Sequence, residues 1–242
     1  MTLKIQTMPI PPPVSQPSLV IVMAAGKQTR WGNAYGTSKH LIPIDGEPLL
    51  RRTLRLLRQN LSVPIWVIIP DDPRYYTIAD TISRCQTYII QNPLDYDAHK
   101  FMSSIQLWHN KNHPLFVYGD CFFTEVAVAT ICQPTDNWLL YARPHASTIT
   151  GGGCGECFAY SVPRQYLSLF QTKAEWITGL QALGRYPRSG GWELYRAMTD
   201  QTLSPTVPAT TENMWVIDDL TEDFDYPSDY AIWAERYQES LV

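Results

Sequence analysis

The regular pattern of the chain begins with a continuous apolar run from Leu19 to Ala25, which contains several β-branched residues. A run that is apolar at every position predicts a strand buried on both faces of a parallel sheet, because neither face is left for solvent. Shorter apolar runs predict further strands at residues 65–69, 87–90, 115–118 and 138–141. Helical patterns separate these strands, at residues 48–59, 75–85, 100–110 and from residue 124 onward.

Strands that alternate with helices are typical of an open, doubly wound α/β sheet, which binds its ligands at the carboxyl ends of the strands. The second half of the chain is less regular. It predicts short strands at residues 157–160 and 215–217, and helices at residues 163–170, 173–183, 192–198 and 228–240. Residues 1–17 contain five prolines and predict a loosely ordered leader before the folded part.

The composition and charge of the chain argue against two classes of partner, nucleic acids and membranes. The 242 residues are 45% hydrophobic and 17% charged, which is ample material for a buried core. The formal net charge of -4 lacks the basic excess of a protein that coats nucleic acid, so we expect no nucleic-acid partner. No apolar run approaches the roughly 18 residues of a membrane span, so we also expect no membrane partner.

The cysteines predict a reducing, cytoplasmic environment, because their number is odd and their spacing irregular. Cys154 and Cys157 have the spacing of a metal knuckle. A structural zinc site needs about four ligands, however, and the chain has no second pair of this kind. We therefore interpret this pair as a coincidence of a loop.

The loop after the first predicted strand carries the most informative chemistry. The small residues Ala24, Ala25 and Gly26 allow backbone N–H groups to approach a phosphate chain closely. Arg30 can donate two parallel hydrogen bonds to phosphate oxygens, and Lys39 adds a second positive charge. Taken alone, the same residues also fit an ordinary loop between strand and helix with two solvated cations.

This loop resembles the signature of the nucleotidyltransferases that act on sugar phosphates and phosphocholine, and of the molybdenum-cofactor guanylyltransferases. The matching residues are Ala24, Ala25, Gly26, Arg30, Lys39, Leu41, Ile44, Gly46, Pro48, Leu49 and Leu50. Two residues depart from the pattern: Gln28 stands where a second glycine is usual, and Ser38 stands where a proline usually precedes the lysine. We hypothesise that Gln28 lines the triphosphate site and that its amide donates a hydrogen bond to a phosphate or to the acceptor.

The resemblance implies an α/β fold with a Rossmann-like (GT-A-like), mostly parallel open sheet and helices on both faces. It also implies an enzyme that transfers a nucleoside monophosphate from a nucleoside triphosphate to a small phosphorylated acceptor, and that releases pyrophosphate. The acceptor would be a sugar phosphate or a phosphocholine-like molecule. Residues 18–242 would form one domain, with a nucleotide-binding half up to residue 140 and an acceptor-binding half with a closing helix after it.

Two aspartates are the predicted ligands of a Mg²⁺ ion. Asp120 follows the strand at residues 115–118, where a carboxylate points into the ligand crevice, although it could instead cap the turn. Residues 223–230 look like the closing acidic segment of the resembling family, in which Asp225 matches the second metal ligand. Asp223 is the alternate ligand, and Asp229 is expected to complement the dipole of the last helix. Asp218 and Asp219 lie in the same region and stay open as candidates.

Other binding residues follow from the same resemblance. Residues 100–105 are similar to a segment that contacts the nucleobase through a serine, so Ser103 or Ser104 either binds the base or caps a helix. An acceptor pocket is expected around residues 151–156, together with Arg185, Arg188, Trp192, Glu193 and Tyr195. The two aromatic residues of this set could surround a quaternary ammonium, but we expect them to pack in the core.

The predicted catalytic residues are Arg30, Lys39, Asp120 and Asp225. The predicted nucleotide-binding residues are Ala24, Ala25, Gly26, Gln28, Arg30, Lys39, Ser103 and Ser104. Asp120 also fits a glycosyltransferase of related fold that uses a nucleotide-sugar, and the departures at residues 28 and 38 also fit a non-catalytic nucleotide-binding domain. Two cations after a turn of small residues favour the nucleotidyltransferase.

Overall fold

A computed structural model of the protein describes residues 15–90, 97–111, 113–151, 155–204 and 210–241. Its strands are β1 (Leu19–Met23), β2 (Pro43–Ile44), β3 (Glu47–Pro48), β4 (Ile65–Pro70), β5 (Gln86–Ile90), β6 (Pro114–Tyr118), β7 (Cys121–Phe122), β8 (Leu139–Arg143), β9 (Glu156–Ser161), β10 (Met214–Val216) and β11 (Glu222–Asp223). Its helices are α1 (Leu49–Asn60), α2 (Ala79–Ile82), α3 (Asp97–Ser103), α4 (Ile105–Trp108), α5 (Glu125–Ile131), α6 (Leu167–Ala182), α7 (Gly191–Met198) and α8 (Pro227–Ser240).

The central sheet has seven strands in the order β10-β8-β9-β6-β1-β4-β5. Only β9 runs antiparallel to its neighbours in this sheet, so the sheet is mostly parallel, as predicted. Met23 pairs with Ile68 of β4 and with Tyr118 of β6. The loops after β1 and β6 therefore leave the sheet side by side, which brings the predicted phosphate loop next to Asp120.

One large core cluster covers this sheet and includes residues from Leu19 to Ile217. All five residues of β1 are buried, which agrees with a central strand covered on both faces. Helix α1 contacts α5, and α6 contacts both α3 and α7. The apolar face of α1 is buried, whereas Arg55 on its other face is exposed, as the helical pattern of the sequence predicts.

Several predicted boundaries were wrong for local reasons. The helix expected at residues 75–85 is a 3₁₀ turn over Pro73–Ile78 followed by the short α2, because Asp72 caps the chain just before Pro73. The helices expected at residues 163–170 and 173–183 form the single helix α6 after a 3₁₀ turn, since no glycine or proline separates them. The helix expected at residues 100–110 divides at Ser104 into α3 and α4.

The short strands β2, β3, β7 and β11 were not predicted, because two residues are too few to show a period. The antiparallel pair of β7 and β11 is important for the site described below. Ser15, which we predicted within the leader, forms an isolated bridge with Thr135. Cys154 lies outside the described residues. Among the helices that are described, none combines the length and the apolar character needed to cross a membrane.

Candidate active site

The loop after β1 passes from the core into an open cleft. Ala24 and Ala25 are buried, and Gly26 is half-buried. Gln28 has a φ of 56°, and its carbonyl oxygen accepts hydrogen bonds from the N–H groups of Trp31 and Gly32. The loop therefore turns sharply at residue 28, in the left-handed backbone region that favours glycine.

Trp31 anchors the far end of this loop. Its side chain is 1% exposed and packs in a second apolar cluster, in which Phe224 and Trp233 come from the C-terminal part of the chain. Its ring nitrogen donates to the carbonyl oxygen of Thr37 at 3.0 Å. The loop after β1 is thus attached to the C-terminal acidic segment, residues 223–230.

Lys39 lies at the centre of three carboxylates. Its Nζ atom is 2.8 Å from Asp120 Oδ2, 3.2 Å from Asp223 Oδ1 and 3.9 Å from Asp225 Oδ1. The Lys39 side chain is only 8% exposed. The structure thus gathers Lys39, Asp120, Asp223 and Asp225 around one point at the carboxyl edge of the sheet.

The pairing of β11 with β7 brings Asp223 to this point, because Asp223 lies opposite Cys121, the residue after Asp120. A buried ion pair holds β11 in place: Arg143 Nη2 is 2.6 Å from Glu222 Oε1, and Arg143 Nη1 donates to the carbonyl oxygen of Thr221 at 3.0 Å. The sequence did not predict this pair. A lone arginine and a glutamate 79 residues later have no signal in a single sequence.

At residue 119, directly before Asp120, the structure leaves no room for a side chain larger than that of glycine. A Cβ atom on Gly119 would lie 2.8 Å from Ala24 Cβ and 2.9 Å from the carbonyl oxygen of Met23. The Gly119 N–H donates to that same carbonyl oxygen at 2.8 Å. Glycine is therefore required for the close approach that sets the distance between Asp120 and the phosphate loop.

The carboxylates differ in how strongly burial and charge act on them. Burial raises the pKa of Asp120, but the positive charges of its neighbours, led by Lys39 and including Lys100, together outweigh burial, and the pKa lies below its ordinary value. For Asp223, burial and the nearby charges of Asp120 and Asp225 dominate, and they raise the pKa to about 8. Burial also raises the pKa of Asp225. The raised pKa of Asp223 reflects its burial and its repulsion by two neighbouring carboxylates, and an additional cation at this point would favour its ionised form.

The geometry of possible metal ligands favours Asp223 over Asp225. The ligand atoms of Asp120, Cys121 and Asp223 all lie within 4.8 Å of one another. The prediction from the sequence paired Asp120 with Asp225. In the structure Asp225 instead faces Arg30, whose Nη1 is 2.5 Å from Asp225 Oδ2. The carboxylate oxygens of Asp120 and Asp223 are the hard donors that Mg²⁺ prefers.

The surrounding cleft has a volume of about 550 Å³. Its wall is formed by residues Gly26, Lys27, Gln28, Thr29, Arg30, Trp31, Lys39, Lys100, Tyr118, Asp120, Gly155, Glu156, Cys157, Arg188, Gly190, Gly191, Trp192, Asp223 and Asp225. Five of these residues are cations, which suits an anionic ligand. Lys27 and Lys100 were not predicted as cleft residues, although both lie inside the segments that carry the resemblance.

Some predicted residues do not line the cleft. Ser104 is fully buried, and its hydroxyl donates to the carbonyl oxygens of Lys100 and Phe101 at 3.1 and 3.0 Å. Its side chain therefore neither faces the cleft nor caps α4. Ser103, the other candidate for the base, is also not among the cleft residues.

Of the residues predicted to bind the acceptor, some line the cleft and others do not. Arg188 and Trp192 line the cleft, together with Glu156, whose pKa is raised well above its ordinary value by burial and by Asp223 and Asp225. Tyr195 is buried in the core and donates to two backbone carbonyl oxygens. Glu193 is buried and accepts from the N–H of Gly190 at 3.0 Å. Arg185 is exposed outside the cleft.

The other acidic residues of the C-terminal segment have local roles. Asp219 accepts from the hydroxyl of Thr124 and from the N–H of Thr221. Asp229 lies in the first turn of α8 and accepts from the N–H of Tyr226 at 2.7 Å. Asp218 is half-exposed beside His145. None of the three belongs to the group around Lys39.

Most of the chain matches one known protein family. Residues 20–185 match the family of MobA-like NTP transferase domains. No curated protein sequence matches the chain.

Solved structures resemble the fold over nearly the whole chain. The CTP:phosphocholine cytidylyltransferase of Streptococcus pneumoniae has a TM-score of 0.59 at 11% identity, over 93% of this chain and 100% of that one. The inositol-1-phosphate CTP transferase of T. maritima has a TM-score of 0.58 at 12% identity, over 91% and 96%. A UDP-glucose pyrophosphorylase complexed with UDP-glucose has a TM-score of 0.61 at 10% identity, over 93% and 99%. At these identities the likeness establishes the fold alone.

Proposed function

Because the chain belongs to the family of MobA-like NTP transferase domains, we propose that it transfers a nucleoside monophosphate from a nucleoside triphosphate to a small phosphorylated acceptor and releases pyrophosphate. The observation that carries this proposal is the convergence of Asp120, Asp223 and Asp225 on Lys39 at the carboxyl edge of the sheet. A cationic cleft opens directly onto this point. Nucleotidyl transfer needs this combination of carboxylates for a metal and cations for a phosphate chain.

We propose Mg²⁺ as the metal and Asp120 with Asp223 as its carboxylate ligands. The fit rests on three carboxylates that already surround one cation, the Lys39 ammonium, and whose mutual repulsion a further cation would relieve. A bound divalent ion supplies Lewis-acid stabilisation of the charge that develops on phosphate oxygens. A ligand set with two carboxylates leaves coordination positions for phosphate oxygens and water.

The residues of the chain would act mainly by positioning and by electrostatics. The N–H groups of the loop after Ala24 would approach the phosphate chain, and Arg30 would neutralise the departing pyrophosphate. Lys39 would balance the charge between the phosphates and the carboxylates. The acceptor phosphate is already ionised at neutral pH, so the displacement requires no strong general base.

The acceptor side of the cleft contains Glu156, Arg188 and Trp192. Arg188 would bind the acceptor phosphate, because a guanidinium matches its oxygens in pairs. Glu156 would accept hydrogen bonds from hydroxyl groups or attract a cationic group of the acceptor. Proteins of the same fold include a CTP:phosphocholine cytidylyltransferase, an inositol-1-phosphate CTP transferase and a UDP-glucose pyrophosphorylase complexed with UDP-glucose. We therefore propose a sugar phosphate or a phosphocholine-like acceptor.

A matrix of four nucleoside triphosphates against sugar phosphates, inositol phosphate and phosphocholine tests the proposal. The measurement is pyrophosphate release with and without Mg²⁺. We expect one triphosphate and acceptor pair to give metal-dependent release at a rate well above triphosphate alone. Release of nucleoside diphosphate from a nucleotide-sugar, without pyrophosphate, would instead identify a glycosyltransferase. Nucleotide binding without either reaction would identify a non-catalytic domain.

Arg30→Ala should lower kcat/KM for the triphosphate by at least about tenfold while leaving the melting temperature nearly unchanged. The Arg30 side chain is 55% exposed, and exposed ion pairs contribute only about 0–1 kcal/mol to stability. A charge-assisted bond to phosphate contributes more, about 1.5–3 kcal/mol.

The matched control for this variant is Arg55→Ala. Arg55 is also half-exposed and pairs with Glu47 at 2.7 Å, but it does not line the cleft. The control should keep full activity. A large loss of melting temperature with unchanged kinetics in Arg30→Ala would show that Arg30 has a structural role.

A further inference from the structure

The two residues that depart from the family pattern, Gln28 and Ser38, contact each other. The Ser38 hydroxyl donates to Gln28 Oε1 at 3.0 Å. The same oxygen accepts from the main-chain N–H of Lys39 at 2.7 Å. Gln28 Nε2 lies 3.1 Å from His40 Nδ1. Three consecutive residues, 38 to 40, are therefore attached to one side chain of the phosphate loop.

The orientation of the Gln28 amide is determined by its partners. If the amide were turned over, Nε2 would face the Lys39 N–H at 2.7 Å, and two donors would oppose each other. Gln28 Nε2 can only donate, so His40 Nδ1 accepts. The single ring proton of the neutral His40 therefore lies on its other ring nitrogen, Nε2 of His40. The fully buried His40 has its pKa lowered to about 3, mainly by burial, which keeps the ring neutral.

Tyr75 extends this arrangement to the start of the phosphate loop. Its hydroxyl lies 2.6 Å from His40 Nδ1, 3.2 Å from the Ser38 hydroxyl and 3.1 Å from the carbonyl oxygen of Ala24. Tyr75 is 1% exposed. The loop is thus joined to the lysine turn at both Ala24 and Gln28, through side chains that are largely shielded from solvent.

The hydrogen bond to Lys39 satisfies an N–H that the backbone leaves without a partner. Lys39 is the first residue of the 3₁₀ turn Lys39–Leu41, and the first N–H groups of a helix have no partner within it. Ser38 precedes the turn but does not cap it, since its hydroxyl donates to Gln28 instead. Gln28 therefore supplies the cap from another part of the chain.

We propose that Gln28 is a positioning residue for the nucleotidyl transfer: its amide oxygen holds the main chain of Lys39, and thereby places the Lys39 ammonium among Asp120, Asp223 and Asp225. This differs from our expectation that the amide of Gln28 binds a phosphate. The oxygen already has two partners and the nitrogen faces His40, so the amide serves the protein rather than the ligand. The retained left-handed backbone at residue 28 agrees with a side chain whose contacts offset the strain.

Hydrogen exchange tests the contact without any reaction. The chain contains six lysines, so protein labelled with [¹⁵N]lysine gives a small set of amide signals, and Lys39→Arg identifies that of Lys39. We expect the Lys39 amide to exchange at least about tenfold faster in Gln28→Ala and Gln28→Gly than in the original protein. Gln28→Glu keeps an acceptor oxygen and should keep most of the protection. An unchanged exchange rate in Gln28→Ala would overturn the proposal.

The kinetic part of the test rests on the proposed function. Gln28→Ala and Gln28→Gly should both lower kcat by about tenfold and change KM for the triphosphate less than about threefold, because a displaced Lys39 affects the transition state more than binding. A higher KM with unchanged kcat would show that Gln28 contacts the triphosphate, against the proposal.

Two controls separate positioning from general stability. Asn213→Ala also places alanine in the left-handed region, at φ 50°, but outside the cleft, and it should leave kcat unchanged. A loss in Gln28→Ala that Gln28→Gly fully restores would reflect backbone strain alone and would overturn the proposal. If no substrate pair reacts at all, the proposed function fails, whereas the exchange measurement still decides whether Gln28 holds Lys39.

Discussion

Asp120→Asn is expected to lower the rate of nucleotidyl transfer by about a thousandfold or more, with the fold preserved. The change removes a hard oxygen charge from the proposed metal site but keeps the size of the side chain, and loss of about 4 kcal/mol of transition-state stabilisation corresponds to that factor. The folded protein should survive, because Lys39 retains Asp223 at 3.2 Å and Asp225 at 3.9 Å.

Asparagine variants of Asp223 and Asp225 identify the second metal ligand. Asp223→Asn should lose as much activity as Asp120→Asn, whereas Asp225→Asn should lose about tenfold, since Asp225 faces Arg30. Steady-state rates at several Mg²⁺ concentrations provide the measurement. Asp218→Asn is the matched control, because this half-exposed carboxylate lies near the same segment but outside the group around Lys39.

A larger loss of activity in Asp225→Asn than in Asp223→Asn would support the pairing expected from the sequence, in which Asp225 is a metal ligand and Asp223 is not. Near-original rates of both Asp120→Asn and Asp223→Asn at saturating Mg²⁺ would contradict the metal assignment as a whole. Circular dichroism of each variant confirms that the comparison is made between folded proteins.

Lys39→Met is expected to destabilise the protein by about 3 kcal/mol at neutral pH and to abolish turnover. Removing one partner of a buried ion pair leaves uncompensated charge, which commonly costs about 3–5 kcal/mol. Here the Lys39 ammonium pairs with Asp120 at 2.8 Å and with Asp223 at 3.2 Å. Denaturant unfolding of the variant and of the original protein measures the difference.

The deficit of Lys39→Met should grow as pH rises. Asp223 has its pKa raised from 3.8 to about 8 even with Lys39 present, and loss of the ammonium favours the protonated form further. A carboxyl whose pKa is higher in the folded state binds more protons when folded, so its stability contribution falls as pH rises from about 4 to about 8. The deficit should become small only once the carboxyls are protonated, Asp120 last among them because its pKa in the original protein lies below its ordinary value.

Divalent metal should partly restore the stability of Lys39→Met. In the original protein the ammonium competes for the carboxylates, whereas the variant leaves them to the ion, so Mg²⁺ or Mn²⁺ should raise its melting temperature more than that of the original protein. Lys173→Met is the control, since Lys173 pairs with the exposed Asp200 far along the chain from the site. An equal metal effect on all three proteins would contradict a metal site at these carboxylates.

The sequence by itself determined most of the sheet and the first half of the site. Strands β1, β4, β5, β6, β8, β9 and β10 were each predicted to within a few residues, because a continuous apolar run is a local property. The loop with Arg30 and Lys39, and Asp120 at the end of β6, were expected at the site from the family resemblance of these segments. The parallel sheet then brings these two segments together without further information.

Only the tertiary structure decided how the second half of the chain completes the site. The choice between Asp223 and Asp225 depends on the two-residue pairing of β7 with β11 and on the buried pair of Arg143 and Glu222. The role of Gln28 likewise depends on residues 38 to 40 lying beside it. Contacts between segments that are distant in the chain, or too short to show a period, leave no pattern in one sequence, because their energy arises only when the core has brought them together.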